Sequence, residues 1–278
     1  MRVGVSAETL AGANINDARA AYKVWGQEIQ RRLGITHTDL VPDVFIPSEQ
    51  LIKMIREGTI DCFALTAWEY AQVIDLLDTN WVLLDDYAAA GLEYILAVHS
   101  ASPYKKIEDL HGGQLIIHHH RDTLLLTAWL SLLLSANGLP PPERFFGSML
   151  SKDNLTQVVV PVFFRRSEAA GLTQRAFSVA EELNPQLGRD LRVLAVSPKL
   201  IPMAFCFRRG CKPEDVKEFR DALVKLRTIP VGQQLLELYQ VKGYTAEQGS
   251  VMKPTLDLVR QYEYLRSHPA PAARKGRS

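Results

Sequence analysis

The sequence predicts an α/β protein of two lobes, each a mostly parallel sheet flanked by helices, joined by a two-strand hinge. Three observations lead there. Short apolar strands alternate with helical segments of about 10–15 residues, the pattern of parallel sheets covered on both faces. The alternation stops near His99–Pro103 and then restarts. Two apolar segments, Leu92–His99 and Met203–Phe207, are placed to carry the chain out to the second lobe and back. The first lobe is then discontinuous, residues 1–98 with 204–266, and the second is 99–203. The segment 267–278 (SHPAPAARKGRS) is rich in Pro, Ala and basic residues and reads as a disordered end.

Val3–Ser6 is a short apolar strand, followed by a polar loop, Ala7 to Asn16, and an amphipathic helix near Asp17 to Leu33 that Gly34 stops. Leu40–Phe45 is the next strand. Ser48 caps a helix to Glu57, ended by Gly58. After the buried strand Ile60–Leu65, Thr66 starts a helix with Glu69 three residues on, a capping box in which each side chain satisfies a backbone N–H of the other residue. Trp81–Leu84 is a further strand. Past the break, Gln114–His118 is a strand, and Asp122 or Thr123 caps an apolar helix to Ala136, closed by Asn137-Gly138. Leu155–Phe164 is a helix, Ala169–Leu172 a strand, and Thr173 caps a helix to Leu183. Leu191–Val196 is the last strand before the return, and Pro213–Leu226, Val231–Tyr239 and Pro254–Arg266 are helical.

Composition excludes several classes. The 278 residues are 47% hydrophobic and 23% charged, ordinary for a globular protein with one or two cores. Lys plus Arg (32) nearly balance Asp plus Glu (31), without the basic excess or stripe of a nucleic-acid binder. The longest apolar run, Leu124 to Leu134, is broken by Thr127 and Ser131 and is shorter than the ~20 residues of a membrane span, so no transmembrane segment is expected. The chain starts directly on a strand, with no charged-then-apolar leader. It is therefore expected to be periplasmic or cell-surface if an export signal was removed, and cytoplasmic if Met1 is native. Cys62, Cys206 and Cys211 form no C-x-x-C or zinc spacing, and the first two read as small core residues.

In parallel α/β sheets, ligands bind beyond the carboxyl ends of strands, where helix starts offer unpaired N–H groups to anions. Four strand-to-helix turns qualify: Ser6 to Asp17, Thr66 to Trp68, His119 to Thr123, and Thr173 to Arg175. Two lie in each lobe, so facing lobes would bring all four to one cleft. The expected ligand-binding residues are Ser6, Thr66, Trp68, Tyr94, His119, His120, Arg121, Thr123 and Thr173. Thr66 and Thr173 are caps in any case. Trp68 walls a pocket or fills a core, and Tyr94 begins the outward crossing strand. Asn14, Asn16 and Asp17 cap the first helix or form the cleft rim. In the run His118–Thr123 the three histidines point to alternate faces and cannot share one metal. Arg121 opposes the helix dipole, which an arriving anion, or Asp122 beside it, would relieve.

No catalytic motif is present: there is no G-x-S-x-G, H-E-x-x-H, P-loop or G-x-G-x-x-G. No catalytic residue, metal or cofactor is expected.

Several segments carry a family likeness: Arg2–Ser6, Gly58–Leu65 leading to Thr66-Ala-Trp68, Leu110–Gly113 before a strand, Val162–Phe164, Glu168–Thr173 followed by Ala176-Phe177, and Glu182–Leu187. In this order and spacing the chain resembles the substrate-binding proteins of phosphate, phosphite and phosphonate ABC transporters. The resemblance implies the type II periplasmic-binding-protein fold, hinge closure on a small phosphorus-containing or other anionic ligand, delivery to an ABC transporter permease, and export to the periplasm or outer membrane leaflet; a monomer is expected. In the phosphonate binders the second lobe's first helix opens with a Ser/Thr-rich, glycine-containing turn. Here that place reads His119-His120-Arg121-Asp122-Thr123, where Thr123 supplies the one small hydroxyl, so a larger or differently charged ligand is credible. The alternatives are a ligand-sensing module of a signalling system and a small-molecule biosynthetic enzyme on the same fold.

Overall fold

The structure is a computed structural model that describes residues 1–10, 15–20, 31, 39–238 and 241–268. Two mixed sheets divide the chain. The first holds β1 (Arg2–Ser6), β2 (Asp39–Ile46), β3 (Cys62–Thr66), β4 (Leu77–Asp85), β10 (Met203–Arg208) and β11 (Tyr244–Glu247), in the order β11-β4-β10-β3-β1-β2. The second holds β5 (Tyr94–His99), β6 (Gln114–His118), β7 (Ser148–Lys152), β8 (Ala169–Thr173) and β9 (Leu191–Val196), in the order β7-β6-β8-β5-β9. This is the two-sheet α/β fold expected.

The parallel pairing expected of alternating strands and helices holds for β1 with β2 and β3, and for β6 with β7 and β8. The remainder is a correction: β10 runs antiparallel to β3 and β4, β11 antiparallel to β4, and β5 antiparallel to β8 and β9. Strands that carry the chain between sheets enter from the opposite end, which reverses their direction.

The crossing itself differs from the expected hinge. Tyr94–His99 lies wholly in the second sheet and Met203–Arg208 wholly in the first. The passages between the sheets are residues 86–93 and 197–202. Between them sits one antiparallel bridge, in which Leu92 N–H donates to Leu200 O (2.8 Å) and Leu200 N–H to Leu92 O (2.9 Å).

Local structure follows from burial. All five residues of β3 are buried, as a strand covered on both faces requires. In α1 (Ser48–Arg56) Leu51, Ile52 and Ile55 face the core, and Gly58, at φ 68°, follows the helix end. At Gly4 in β1 a Cβ would come within 2.5 Å of Ile60 and 2.8 Å of Ile46, so side chains from both neighbours close over a position that only glycine leaves open. α2 (Ala67–Val73) has the predicted Thr66–Glu69 capping box.

The apolar helix after His118 starts later than expected. Arg121–Thr123 forms a 3-10 turn, and α3 runs Leu126–Ala136. Neither Asp122 nor Thr123 caps α3. Its first residue is preceded by Leu125, which has no side-chain cap, because the Thr123 hydroxyl turns back to its own strand end. Further helices are α4 (Pro142–Phe145), α5 (Leu155–Phe163), α6 (Gln174–Leu183), α7 (Pro185–Asp190), α8 (Pro213–Lys225), α9 (Pro230–Leu238) and α10 (Lys253–Ser267). α3 is buried on most sides because α10 lies across it as well as against α2. Leu258 and Val259 of α10 join Ala67 of the first lobe and Leu126, Trp129 and Leu130 of the second in one core cluster. Residues 15–20 are helical, so the first helix begins before Asp17; Asn14, most of the span to Leu33 and 269–278 lie outside the described residues. The three cysteines are free thiols.

Candidate functional site

β1 and β3 lie side by side, and so do β6 and β8, so the four expected turns form two adjacent pairs. In the first lobe, Ser6 and Thr66 converge on one carboxylate. Ser6 Oγ donates to Glu69 Oε1 (2.5 Å), while the Thr66 backbone N–H and hydroxyl donate to Glu69 Oε2 (2.8 and 2.9 Å). All three residues are buried. Trp68 is half-buried; its indole N–H donates to Leu124 O across the lobes (3.4 Å), and its ring meets Tyr262 edge-on at 5.5 Å.

In the second lobe the run of histidines alternates as expected. His118 and His120 stack with ring centroids 5.4 Å apart. His119 turns the other way and pairs with Asp153 at 2.8 Å, half exposed. His119 stays outside the stacked His118–His120 pair, although the His118 ring also lies 3.2 Å from the Asp153 carbonyl. His120 Nδ1 accepts from Asp122 N–H (3.2 Å) and so caps the 3-10 turn. The Thr123 hydroxyl is buried between the carbonyls of His118 (2.7 Å) and His120 (2.8 Å). Thr173 accepts from Ala176 N–H (3.1 Å), the predicted cap. Burial, then the adjacent His120, lowers the His118 pKa from 6.5.

Arg121 faces the first lobe. Its Nη2 donates to Asp85 Oδ2 at 3.0 Å, with the two side chains 14% and 7% exposed. Its Nε is 3.5 Å from Asp122, which Arg175 reaches at 3.7 Å. The Arg175 guanidinium in turn lies 3.2 Å from the ring centre of Tyr87. Tyr244, opposite Asp85 in the β11–β4 ladder, has its phenol pushed up to about 12 by burial, with Arg121 acting against the rise and Asp85 with it.

Tyr94 sits where the outward passage enters the second sheet, fully buried, with its ring tilted against Trp129 at 6.4 Å. Its hydroxyl has no hydrogen-bond partner of good geometry among the described residues. Burial pushes its pKa well up, against a hydrogen bond from the Leu125 backbone, and Asp122 adds to the rise. The hydroxyl thus lies toward the uncapped start of α3. Among the described residues no group of three or more His, Cys, Asp and Glu could hold a metal ion.

Asp85, Tyr87 and Tyr244 escaped selection by sequence, and Arg175 was named only as the end of the fourth turn. Asp85-Asp86-Tyr87 at a strand end was the available signal, because strand ends carry sites in this architecture. Nothing in the sequence showed that it would meet Arg121, 36 residues away.

Two sheets joined by a double passage, with Arg121 of one reaching Asp85 of the other, are the architecture of a two-lobed α/β binding protein. A family model described as "ABC transporter, phosphonate, periplasmic substrate-binding protein" matches residues 13–250, and the chain belongs to that family. It is a solute-binding protein of an ABC transporter. Solved structures show the same type II periplasmic-binding-protein fold. PhnD1 from Prochlorococcus marinus, in complex with methylphosphonate, has TM-score 0.61 and 12% identity, covering 94% of this chain and 98% of its own. The XAC2383 protein from Xanthomonas citri, bound to ATP, has TM-score 0.60 and 16% identity, covering 97% and 99%. A binding protein component of an ABC phosphonate transporter from Pseudomonas aeruginosa has TM-score 0.58 and 13% identity, covering 98% and 90%. No curated protein matches the sequence significantly. The family is one of transporter binding proteins rather than enzymes, is periplasmic, and implies a ligand and a permease partner. No helix among the described residues is long and apolar enough to cross a membrane.

Proposed function

We infer that this protein captures a small anion, phosphorus-containing or of like chemistry, in the cleft between its two lobes, and hands it to a permease in the periplasm. It acts as a monomer and without catalysis. The lobes follow the two sheets, and they move about the Leu92–Leu200 bridge.

The observation that carries this reading is Tyr94. Its buried hydroxyl has no better partner than the Leu125 backbone N–H; leaving a buried hydroxyl short of a full hydrogen bond costs up to about 1–3 kcal/mol, and native structures keep such groups where a ligand or water completes them. This hydroxyl lies toward the start of α3, where uncapped backbone N–H groups and the helix dipole favour negative charge. Arg121 supplies a guanidinium fork suited to a tetrahedral oxyanion. His120 and Thr123 shape the turn that presents Arg121, while Trp68 and Thr173 wall the cleft from the two lobes. Ser6 and Thr66 act through Glu69. His119 belongs to the outer rim.

A thermal-shift screen against phosphate, phosphite, methylphosphonate, an alkyl sulfonate and ATP tests the reading. One anion at about 100 times its dissociation constant should stabilise the protein by about 2.7 kcal/mol. Tyr94→Phe should bind it about tenfold more weakly, the loss of one hydrogen bond to a charged ligand. No shift with any of the five anions would refute an anionic ligand.

A further inference from the structure

Arg121 is the cation best placed to receive a solute anion, and it already holds one. Asp85 Oδ2 accepts from its Nη2 at 3.0 Å. Asp85 belongs to the end of β4 in the first sheet and Arg121 to the turn after β6 in the second. The pair therefore exists only while the two lobes are together. Asp85 is also aimed. Its Oδ1 accepts from the backbone N–H of Tyr87 (3.0 Å) and Ala88 (2.9 Å), which fixes the carboxylate and turns Oδ2 toward the other lobe. Beside it, Arg175 from the second lobe stacks on Tyr87 of the first. At 14% and 7% exposure the ion pair is poorly screened by salt.

We propose that Asp85 is a built-in carboxylate that occupies Arg121 in the ligand-free protein and locks the lobes together, so that an arriving anion must displace it. The identity of the competitor rests on the anion-binding reading of the cleft. A carboxylate and a phosphonate-type oxyanion want the same guanidinium donors. Affinity for the solute is then reduced by the fraction of molecules in which Asp85 holds the site. Asp85 thus sets affinity without touching the ligand.

The test is calorimetric titration of wild type, Asp85→Asn and Asp85→Ser with inorganic phosphate and methylphosphonate, alongside small-angle scattering of the unliganded proteins. Asn and Ser both keep an acceptor for the Tyr87 and Ala88 N–H groups but remove the charge, so two independent variants report on the lock. We expect binding about tenfold tighter or more, and a larger radius of gyration in the unliganded variants. Equal or weaker binding of an anion that wild type binds would overturn the proposal, as would tighter binding without expansion. If neither probe binds any of the three proteins, the anion reading of the cleft fails separately. Scattering then decides the lock: expansion on removing the Asp85 charge upholds it, and an unchanged radius overturns it.

Discussion

Ser6 Oγ donates a 2.5 Å hydrogen bond to Glu69 Oε1, so the carboxylate that closes the capping box of α2 also ties down the end of the neighbouring strand β1. Two hydroxyls expected to face a ligand instead face a side chain of their own lobe. Glu69→Ala removes the partner of Ser6, of the Thr66 hydroxyl and of the Thr66 backbone N–H. It should lower stability by about 2 kcal/mol, the sum of a lost cap and buried groups left unpaired. Glu69→Gln, which can still complete the box, should recover most of the loss in urea unfolding.

Arg121 and Asp85 should show strong coupling. Removing either leaves a mostly buried charge short of its partner, so Arg121→Ala should cost about 2 kcal/mol. The double variant with Asp85→Asn should cost clearly less than the two single losses added together. A double-mutant cycle by chemical denaturation measures the difference. Additive losses would mean that the ion pair contributes nothing to the unliganded fold.

His118 makes stability pH-dependent. Burial, then the stacked His120, holds its folded pKa below 6.5, the value of the free side chain. Below pH 6.5 the unfolded chain takes up a proton that the folded chain resists. Its stabilising contribution is therefore full above 6.5 and is lost as pH falls from there through the folded value. Denaturation curves at pH 7.5, 6.5 and 5.5 should show a decline that His118→Gln reduces. Asp61 acts in a separate, more acidic window. Burial raises its carboxyl, but the Arg208 side chain and the Arg2 backbone N–H outweigh that and set it below 3.8. Its contribution is present above 3.8 and fades as pH falls through the folded value.

α10 should unite the lobes during unfolding. Leu258 packs from this C-terminal helix into a cluster drawn from both lobes. Leu258→Ala should cost about 2–4 kcal/mol, the usual range for a buried leucine. Intrinsic tryptophan fluorescence, with Trp81 in the first lobe and Trp129 in the second, should still move with far-UV dichroism in one transition. Separate transitions would show that α10 does not couple the two sheets.

Local chemistry made much of the fold readable. The Thr66–Glu69 capping box, the Thr173 cap and the apolar strands of β3 and β8 each carry their signal within a few residues. Their alternation gave the two-sheet class and the approximate place of the break. β7 escaped notice because it is an edge strand, Ser-Met-Leu-Ser-Lys, without a buried residue. β11 escaped because its four residues are all half-buried. The start of α3 was misplaced because the run His118–Thr123 spends its polar side chains on a 3-10 turn before the helix begins.

By itself the sequence determined which segments fold into strands and helices, and hence which turns could carry a site. Tertiary structure decided what those turns face. Arg121 was legible as a cation opposing a helix dipole; that Asp85, 36 residues earlier, answers it from the other lobe depends on how the two sheets come together. Tyr94 was legible as a residue at the crossing, but its buried, under-satisfied hydroxyl is a property of the packing around it. Strand and helix signals act between residues two to four apart, whereas the cleft is made of pairs whose separation only the folded chain sets.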